Sequence, residues 1–382
     1  MFSPLFCVLF SVVCLSSCAL LTPPPDDTKG VRDWLVVPVF YATNRTMKGE
    51  PGSLDYSEVP NGKGLLFGVK NIAVPVPIYS PLEPDTVARM QWQQIHEDPT
   101  SKAAVPVFDG EKCLIKDSPL ERDEVVHRFH SYMKTSHSKE IVIFVHGCCA
   151  TFNTTMKRAA RLSAHMKVPV VVYDWVSPKG FTKYLANETM AGQSYDNFCR
   201  FLNNTEKVVS AGNISLLGHS MGALILDEAM VRRAAQSQTS SVNPPLFNEL
   251  IMSNADVDAK TFLNHASLFD ANASKTRIYF STADSRLNAS AIAHGGFNRL
   301  GEPGALIGDL CKDGKQELID ITANNTGHEL PYWIVANFHN FGGLGQVKEF
   351  VSKSEAPNLF KVMRIGVPSP EAVKSSSDDP GD

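Results

Sequence analysis

Residues 214–222 read Ile214-Ser-Leu-Leu-Gly-His-Ser220-Met-Gly222, and this stretch decides the fold. A short apolar strand, I-S-L-L, runs into Gly-x-Ser-x-Gly, and a helical pattern begins at Met221 and continues to Gln236. A strand that turns abruptly into a helix leaves the hydroxyl at the corner exposed at the sheet edge. Glycines two places before and two after the serine let neighbouring backbone pass without Cβ clashes. The helix N-terminus favours negative charge developing beside the hydroxyl. Ser220 is therefore the candidate nucleophile. The plainer alternative is an incidental serine in a glycine-flanked turn, and the strand and helix in register argue against it.

Upstream, the strand Ile141–Val145 enters His146-Gly147-Cys148-Cys149, and a helix follows. In a fold of this kind a loop after such a strand supplies the second backbone donor of an oxyanion hole. The N–H of Cys148 takes that role beside the N–H of Met221, and His146 reads as a structural residue holding the loop. The adjacent thiols lack the C-x-x-C spacing or paired base of thiol chemistry.

An acid and a histidine must follow Ser220 in chain order. The strand Arg277–Ser281 runs on into Thr-Ala-Asp284, so Asp284 is the favoured acid. Asp256 is the alternative, with Asp258, because both follow the preceding strand Glu249–Ser253. After the strand Leu318–Ile321 comes the polar loop T-A-N-N-T-G-H, which carries His328, the chosen base. His339 falls in a predicted helix over 331–339 and reads as packing or surface, and His294 as a residue of the mouth.

Further out, Trp34–Tyr41, Leu65–Val74 and Val168–Tyr173 are strand-like; Thr154–His165 and Ser194–Ser210 are helix-like. Continuous apolar runs such as I-V-I-F-V and V-P-V-V-V-Y suit strands covered on both faces. Their alternation with helices implies an α/β-hydrolase fold: a doubly wound, mostly parallel sheet flanked by helices. The stretch Ser285–Lys315 between the last two of these strands is long and carries scattered glycines, which predicts a cap or lid. The 382 residues are 43% hydrophobic and 20% charged, as in an ordinary globular protein. A net charge of −4 offers no basic stripe for nucleic acid.

The ends differ from the middle. From Met1 to Pro25 no side chain is charged, and Phe2–Leu21 is apolar but for Ser, Cys and one Pro. Such a run without a polar face reads as an export signal or membrane anchor. Within it, Leu15-Ser-Ser-Cys18 is similar to a bacterial lipobox, which predicts lipidation of Cys18, export and attachment to the cell envelope. Plain secretion and an uncleaved anchor are the alternatives. The resulting organisation is a signal or anchor over 1–17, a Pro-rich linker over 18–33, a catalytic domain over 34–350 and a C-terminal tail over 351–382. Of eight cysteines, three lie in the leader, and the rest show no metal-ligand spacing.

With these pieces in place, the chain resembles the bacterial α/β hydrolases of unknown function known as DUF900, also described as esterase/lipase superfamily enzymes. The resemblance is carried by Tyr41-Ala-Thr-Asn-Arg45, Phe67-Gly68, V-H-G-C-C-A-T-F-N-T-T from Val145, and Val172–Trp175. It continues through Gly218–Gly222, N-A-D-V-D-A from Asn254, H-G-G-F-N-R-L-G from His294, and Gly327-His328. The departures are Cys148-Cys149, where an aromatic residue and Asn are usual, and Gly218, where Ala is usual. The resemblance implies the fold and esterase-type activity, and it implies no substrate. Acyl transfer by the candidate triad itself requires no metal and no organic cofactor. The expected partners are a small-molecule or lipid ester and, through the N-terminus, a membrane. A peptidase or amidase, an acyltransferase, and a catalytically silent membrane-anchored binding protein are the other readings.

Overall fold

The computed structural model describes residues 31–48, 55–77, 94–95, 119–136, 138–237, 247–306, 309, 316–322, 328–330 and 362–364. The leader with Cys18, nearly all of the linker, the predicted helix over 331–339 and His339 lie outside the described residues. In chain order the strands are β1 (Val31–Thr43), β2 (Arg45–Lys48), β3 (Asp55–Pro60), β4 (Leu66–Pro77), β5 (Gln94–Ile95) and β6 (Ile141–Val145). They continue as β7 (Val170–Asp174), β8 (Ile214–His219), β9 (Phe247–Ser253), β10 (Ala273–Phe280), β11 (Gln316–Asp320) and β12 (Val362–Arg364). The helices are α1 (Pro119–Thr135), α2 (Phe152–Met166), α3 (Tyr184–Glu206), α4 (Met221–Ser237), α5 (Ala259–Asn272) and α6 (Ser285–Ala293). This is the mostly parallel, helix-flanked α/β-hydrolase architecture that the apolar runs imply. Every residue of β6, β7 and β8 is buried, as strands covered on both faces require.

The chain groups into two compact units. In the first, β1 pairs in parallel with β7 and antiparallel with β4 and β5. The short β2–β3 pair folds over Phe152 through the rings of Tyr56 and Tyr41, whose hydroxyls bond at 3.0 Å. Arg45 is fully buried. Its Nε donates to Asp174 Oδ2 at 2.7 Å, and its Nη2 donates to the carbonyls of Ala150 and Trp175. Thr43 donates to the same carboxylate oxygen at 2.7 Å. Two runs quoted above, around Arg45 and around Trp175, thus meet in one buried ion pair. Helix α3 begins at Tyr184 rather than Ser194 because its first turns are held from outside. Ser177 donates to Asn187 Oδ1, and Asn187 Nδ2 donates to the carbonyls of Pro178 and Lys183.

In the second unit the strand order is β6-β8-β9-β10-β11-β12, and the pairs from β8 to β12 are parallel. Within the tail over 351–382, Val362–Arg364 forms β12, which pairs in parallel with β11 at the edge of the sheet. Asp258 caps α5, accepting from the N–H of Thr261 at 2.7 Å. The lid expected over Ser285–Lys315 is corrected in its described part. After α6 the chain returns into the unit, and Leu300 is fully buried. The amides of Leu300 and Gly301 donate to the carbonyls of Val257 and Ala255, and Gly301 O accepts from Ser281 N. A segment bonded on both sides to the loops after β9 and β10 is a brace, not a flap. Among the described residues no helix is long and apolar enough to cross a membrane.

Removing one partner of a buried ion pair leaves the other charge uncompensated, at a cost of about 3–5 kcal/mol. Arg45→Met is expected to lower unfolding stability by about that much in urea titrations. A loss below about 1 kcal/mol, the scale of an exposed pair, would contradict the structural role assigned to the pair.

Candidate active site

Strand β8 ends at His219 and helix α4 begins at Met221, so the reversal falls on Ser220, whose φ is +53°. Few side-chain-bearing residues adopt that angle, and they need support from their surroundings. The support is backbone: Ser220 N donates to Ser253 O, and Ser220 O accepts from the amides of Ala223 and Asp256. A Cβ on Gly218 would lie 2.7 Å from Ala223 Cα, and one on Gly222 would strike the carbonyls of Val145 and His146. Gly147 packs just as closely, since a Cβ there would lie 2.7 Å from Ser220 Cβ. The three glycines are required by close approach.

Three of the residues singled out from the sequence meet here. His328 Nε2 lies 2.7 Å from Ser220 Oγ, and His328 Nδ1 lies 2.7 Å from Asp284 Oδ2. Ser220 is 2% exposed and Asp284 is 0% exposed. With Nδ1–H donating to the carboxylate, Nε2 is left to accept the serine hydroxyl proton. Asp284 also caps α6, its Oδ1 accepting from the amides of Arg286 and Leu287 at 3.1 Å each. Asn254 Nδ2 donates to Oδ2 at 3.0 Å. Burial alone would push this carboxyl upward. The neighbouring His328, with the bonds from His328, Asn254 and the Leu287 amide, outweighs burial and holds it below its ordinary value.

The alternative acids are placed elsewhere. Asp256 Oδ1 accepts from Arg299 Nε at 2.7 Å and from Ser290 Oγ at 2.6 Å, in a pair almost wholly buried. Asp258 is the helix cap described above. His146 is fully buried with Nδ1 2.7 Å from Gly147 O, a structural role. His294 ends α6, with Nδ1 2.8 Å from Ser290 O. Met221 is buried as the first residue of α4, where its N–H belongs to the unsatisfied first turn. Cys148 and Cys149 form the turn after Gly147. Cys149 has φ +62°, and its Sγ lies 3.7 Å from Gly180 O and 3.8 Å from Asn187 Nδ2.

Two residues of the site escaped the sequence reading. Asn254 stands just after β9 at φ +44°, in the left-handed region that Asn tolerates better than most residues; its place directly after an apolar strand was the available signal. His219, inside the serine motif, has its Nε2 3.1 Å from the main-chain oxygen of His328. No pattern in sequence points to a contact across 109 residues.

A family model described as "Alpha/beta hydrolase of unknown function (DUF900)" matches residues 121–331. Among solved structures, the chain is similar to an esterase from Pyrobaculum calidifontis, at 14% identity over 53% of this chain and 76% of that one, with a TM-score of 0.34. It is similar to an esterase from Rhizomucor miehei at 12% identity over 52% and 72% of the two chains, TM-score 0.30. A lipase-esterase related protein from Clostridium acetobutylicum gives 14% identity over 48% and 74%, TM-score 0.23. No curated protein matches the chain.

The depressed Asp284 carboxyl links stability to pH. Its contribution is complete above the ordinary carboxylate value of 3.8 and is lost as pH falls through the lower folded value. Asn254→Gly accepts the positive φ and deletes one donor, so the folded value rises toward 3.8. The acid limb of urea-unfolding stability then still sets in near 3.8, the unfolded value, but is expected to be smaller and to end at higher pH than in the unsubstituted protein. An unmoved limb would remove Asn254 from the set of groups that hold the charge.

Proposed function

The chain belongs to the α/β-hydrolase family of unknown function DUF900, and from that premise we propose that it is a serine hydrolase cleaving carboxylic esters through an acyl-enzyme. The observation that carries the reading is the continuous relay Asp284–His328–Ser220, with both bonds at 2.7 Å. His328 Nε2 takes the Ser220 proton as Oγ attacks the ester carbonyl. The N–H groups of Met221 and Cys148 are the proposed donors to the oxyanion. Collapse expels the alcohol, which leaves with the proton held by His328, and Ser220 retains the acyl group. A water then gives its proton to His328 and attacks the acyl-enzyme. The acid is released as Ser220 is reprotonated. Asp284 stays ionised throughout; it fixes the ring and stabilises the imidazolium. A silent binding protein has no need of this alignment. An amidase uses the same groups, so paired ester and amide substrates of one acyl chain decide between them.

Attachment at Cys18 completes the proposal and puts the site outside the cytoplasm, facing lipid or small-molecule esters of the cell envelope. One acyl chain binds a membrane only marginally, so stable attachment needs the further acyl groups that bacterial lipoproteins carry.

Ser220→Ala is expected to abolish both fluorophosphonate labelling and ester hydrolysis while leaving the fold intact, and labelling of that variant would refute the nucleophile. His328→Ala should be nearly as damaging, and Asp284→Asn should cost ~10⁴ in rate, as in a serine protease with the same substitution. A mild Asp284→Asn beside a folded but inactive Asp256→Asn would move the acid to the loop after β9. For the anchor, Cys18→Ser is expected to block processing and leave a longer precursor in fractionated cells. A mature, soluble exported protein would exclude lipidation.

A further inference from the structure

His219 ends β8 beside Ser220, is 4% exposed, and takes no part in the proton relay. Its Nε2 lies 3.1 Å from the carbonyl oxygen of His328, so that nitrogen carries the proton and donates. The two imidazole rings lie 5.2 Å apart between centroids. On the other side, the absent Cβ of Gly147 leaves room for the ring, because a methyl group there would come within 3.0 Å of His219 Nδ1. The ring is thus held between Gly147 and the main chain that carries the base.

That main chain needs holding. Between Ile321 and His328 the sequence is Thr-Ala-Asn-Asn-Thr-Gly, with no large apolar side chain to bury. One end is fixed by Ile321 N on Phe280 O and by the contact of Thr282 N with Thr322 Oγ1. The other end is fixed by the buried Leu330. The two side-chain bonds of His328 cannot supply a constant anchor. The bond to Ser220 is broken when Oγ attacks, and the bond to Asp284 changes character when the ring becomes a cation. The bond from His219 to the backbone oxygen involves no transferring proton.

We propose that His219 is a positioning residue, which fixes the main chain of His328 and so keeps the base in line with Ser220 through both halves of the acyl transfer. This rests on the serine-hydrolase reading and adds a role for the variable residue of the Gly-x-Ser-x-Gly motif. A base displaced by about 1 Å can cost about a hundredfold in rate, so one neutral hydrogen bond can control a large kinetic effect. Nε2 donates in the neutral Nε2–H tautomer and in the cation alike.

The test compares His219→Gln, whose amide nitrogen can reach the same carbonyl, with His219→Phe, which keeps the ring but not the donor. Short-chain p-nitrophenyl ester turnover and fluorophosphonate labelling rate are read on each, and melting curves establish that each is folded. The Gln variant is expected to keep kcat within about threefold, and the Phe variant to lose about ten- to a hundredfold in kcat and labelling rate. KM should change little in either. A folded Phe variant with full kcat, or a Gln variant as poor as Phe, overturns the proposal. If Phe fails to fold, ¹⁵N-histidine spectra of the unsubstituted protein decide instead: a proton on Nε2 of His219 supports the bond, and a proton on Nδ1 alone overturns it. An unsubstituted protein that is neither labelled nor active on any ester refutes the serine-hydrolase reading itself, a result distinct from all of these.

Discussion

Ser220 occupies a backbone angle that a side-chain-bearing residue adopts only at a cost of about 1–3 kcal/mol, and much of the second unit is arranged around that angle. Its amide and carbonyl are spent on the loop after β9 and on the first turn of α4. Its Cβ touches the space left by Gly147, and Gly218 and Gly222 let α4 approach β8 and the end of β6. A larger residue at any of these glycines would push the helix away from the strand and the hydroxyl away from His328. The strain is tolerated because the turn leaves the fully buried β8 and is bonded to the last residue of β9.

The same loop after β9 connects Ser220 to Asp284. Asp256 N bonds Ser220 O while its carboxylate is held by Arg299, and two places earlier Asn254 bonds Asp284. The segment Asn298–Gly301 then closes over both: Asn298 O accepts from Ala259, and Gly301 bonds Ala255 on one side and Ser281 on the other. The runs N-A-D-V-D-A and H-G-G-F-N-R-L-G, which in sequence are two unexplained patches of resemblance, are one ladder in space. Its effect is to set the distance between the serine turn and the carboxylate turn, which the relay requires to be constant.

Much of this was legible in sequence, for physical reasons that can be named. Continuous Val/Ile runs announced β6 and β7 because only strands covered on both faces tolerate them. The glycines around Ser220 announced the turn because steric demand is local. The place of His328 beside Ser220 followed from chain order, since few histidines lie in a late loop that can reach back to the serine. What was hidden depends on distant partners. Asn254 and Arg299 look like ordinary polar loop residues until the ladder assembles. The long stretch after Asp284 read as a lid because its glycines and polar residues match a mobile loop, whereas Leu300 is the buried pin of the brace. Helix α3 was read short because residues such as Gly192 and Asn187 weaken a helix in isolation, and the bonds that secure Asn187 come from residues outside the helix.

The choice between the two acids turns on how each carboxylate is solvated by protein. Asp227, on α4, is buried and bonded to His265, yet burial prevails and its carboxyl lies above the ordinary value. Asp284 is buried more completely and lies below it. The difference is the number of fixed donors: Asp227 has one imidazole, whereas Asp284 has an imidazole, an amide side chain and two backbone N–H groups at a helix start. The negative charge at Asp284 is therefore maintained by geometry, and Glu302, close enough to feel it, is pushed upward by burial and by that charge. Asp256 is also buried, but its partner is Arg299, whose guanidinium cannot give up a proton. A carboxylate paired with guanidinium holds structure in place; one paired with imidazole can stabilise a charge that comes and goes. Only the second arrangement suits the proposed mechanism, in which His328 picks up and returns a proton in each half of the reaction.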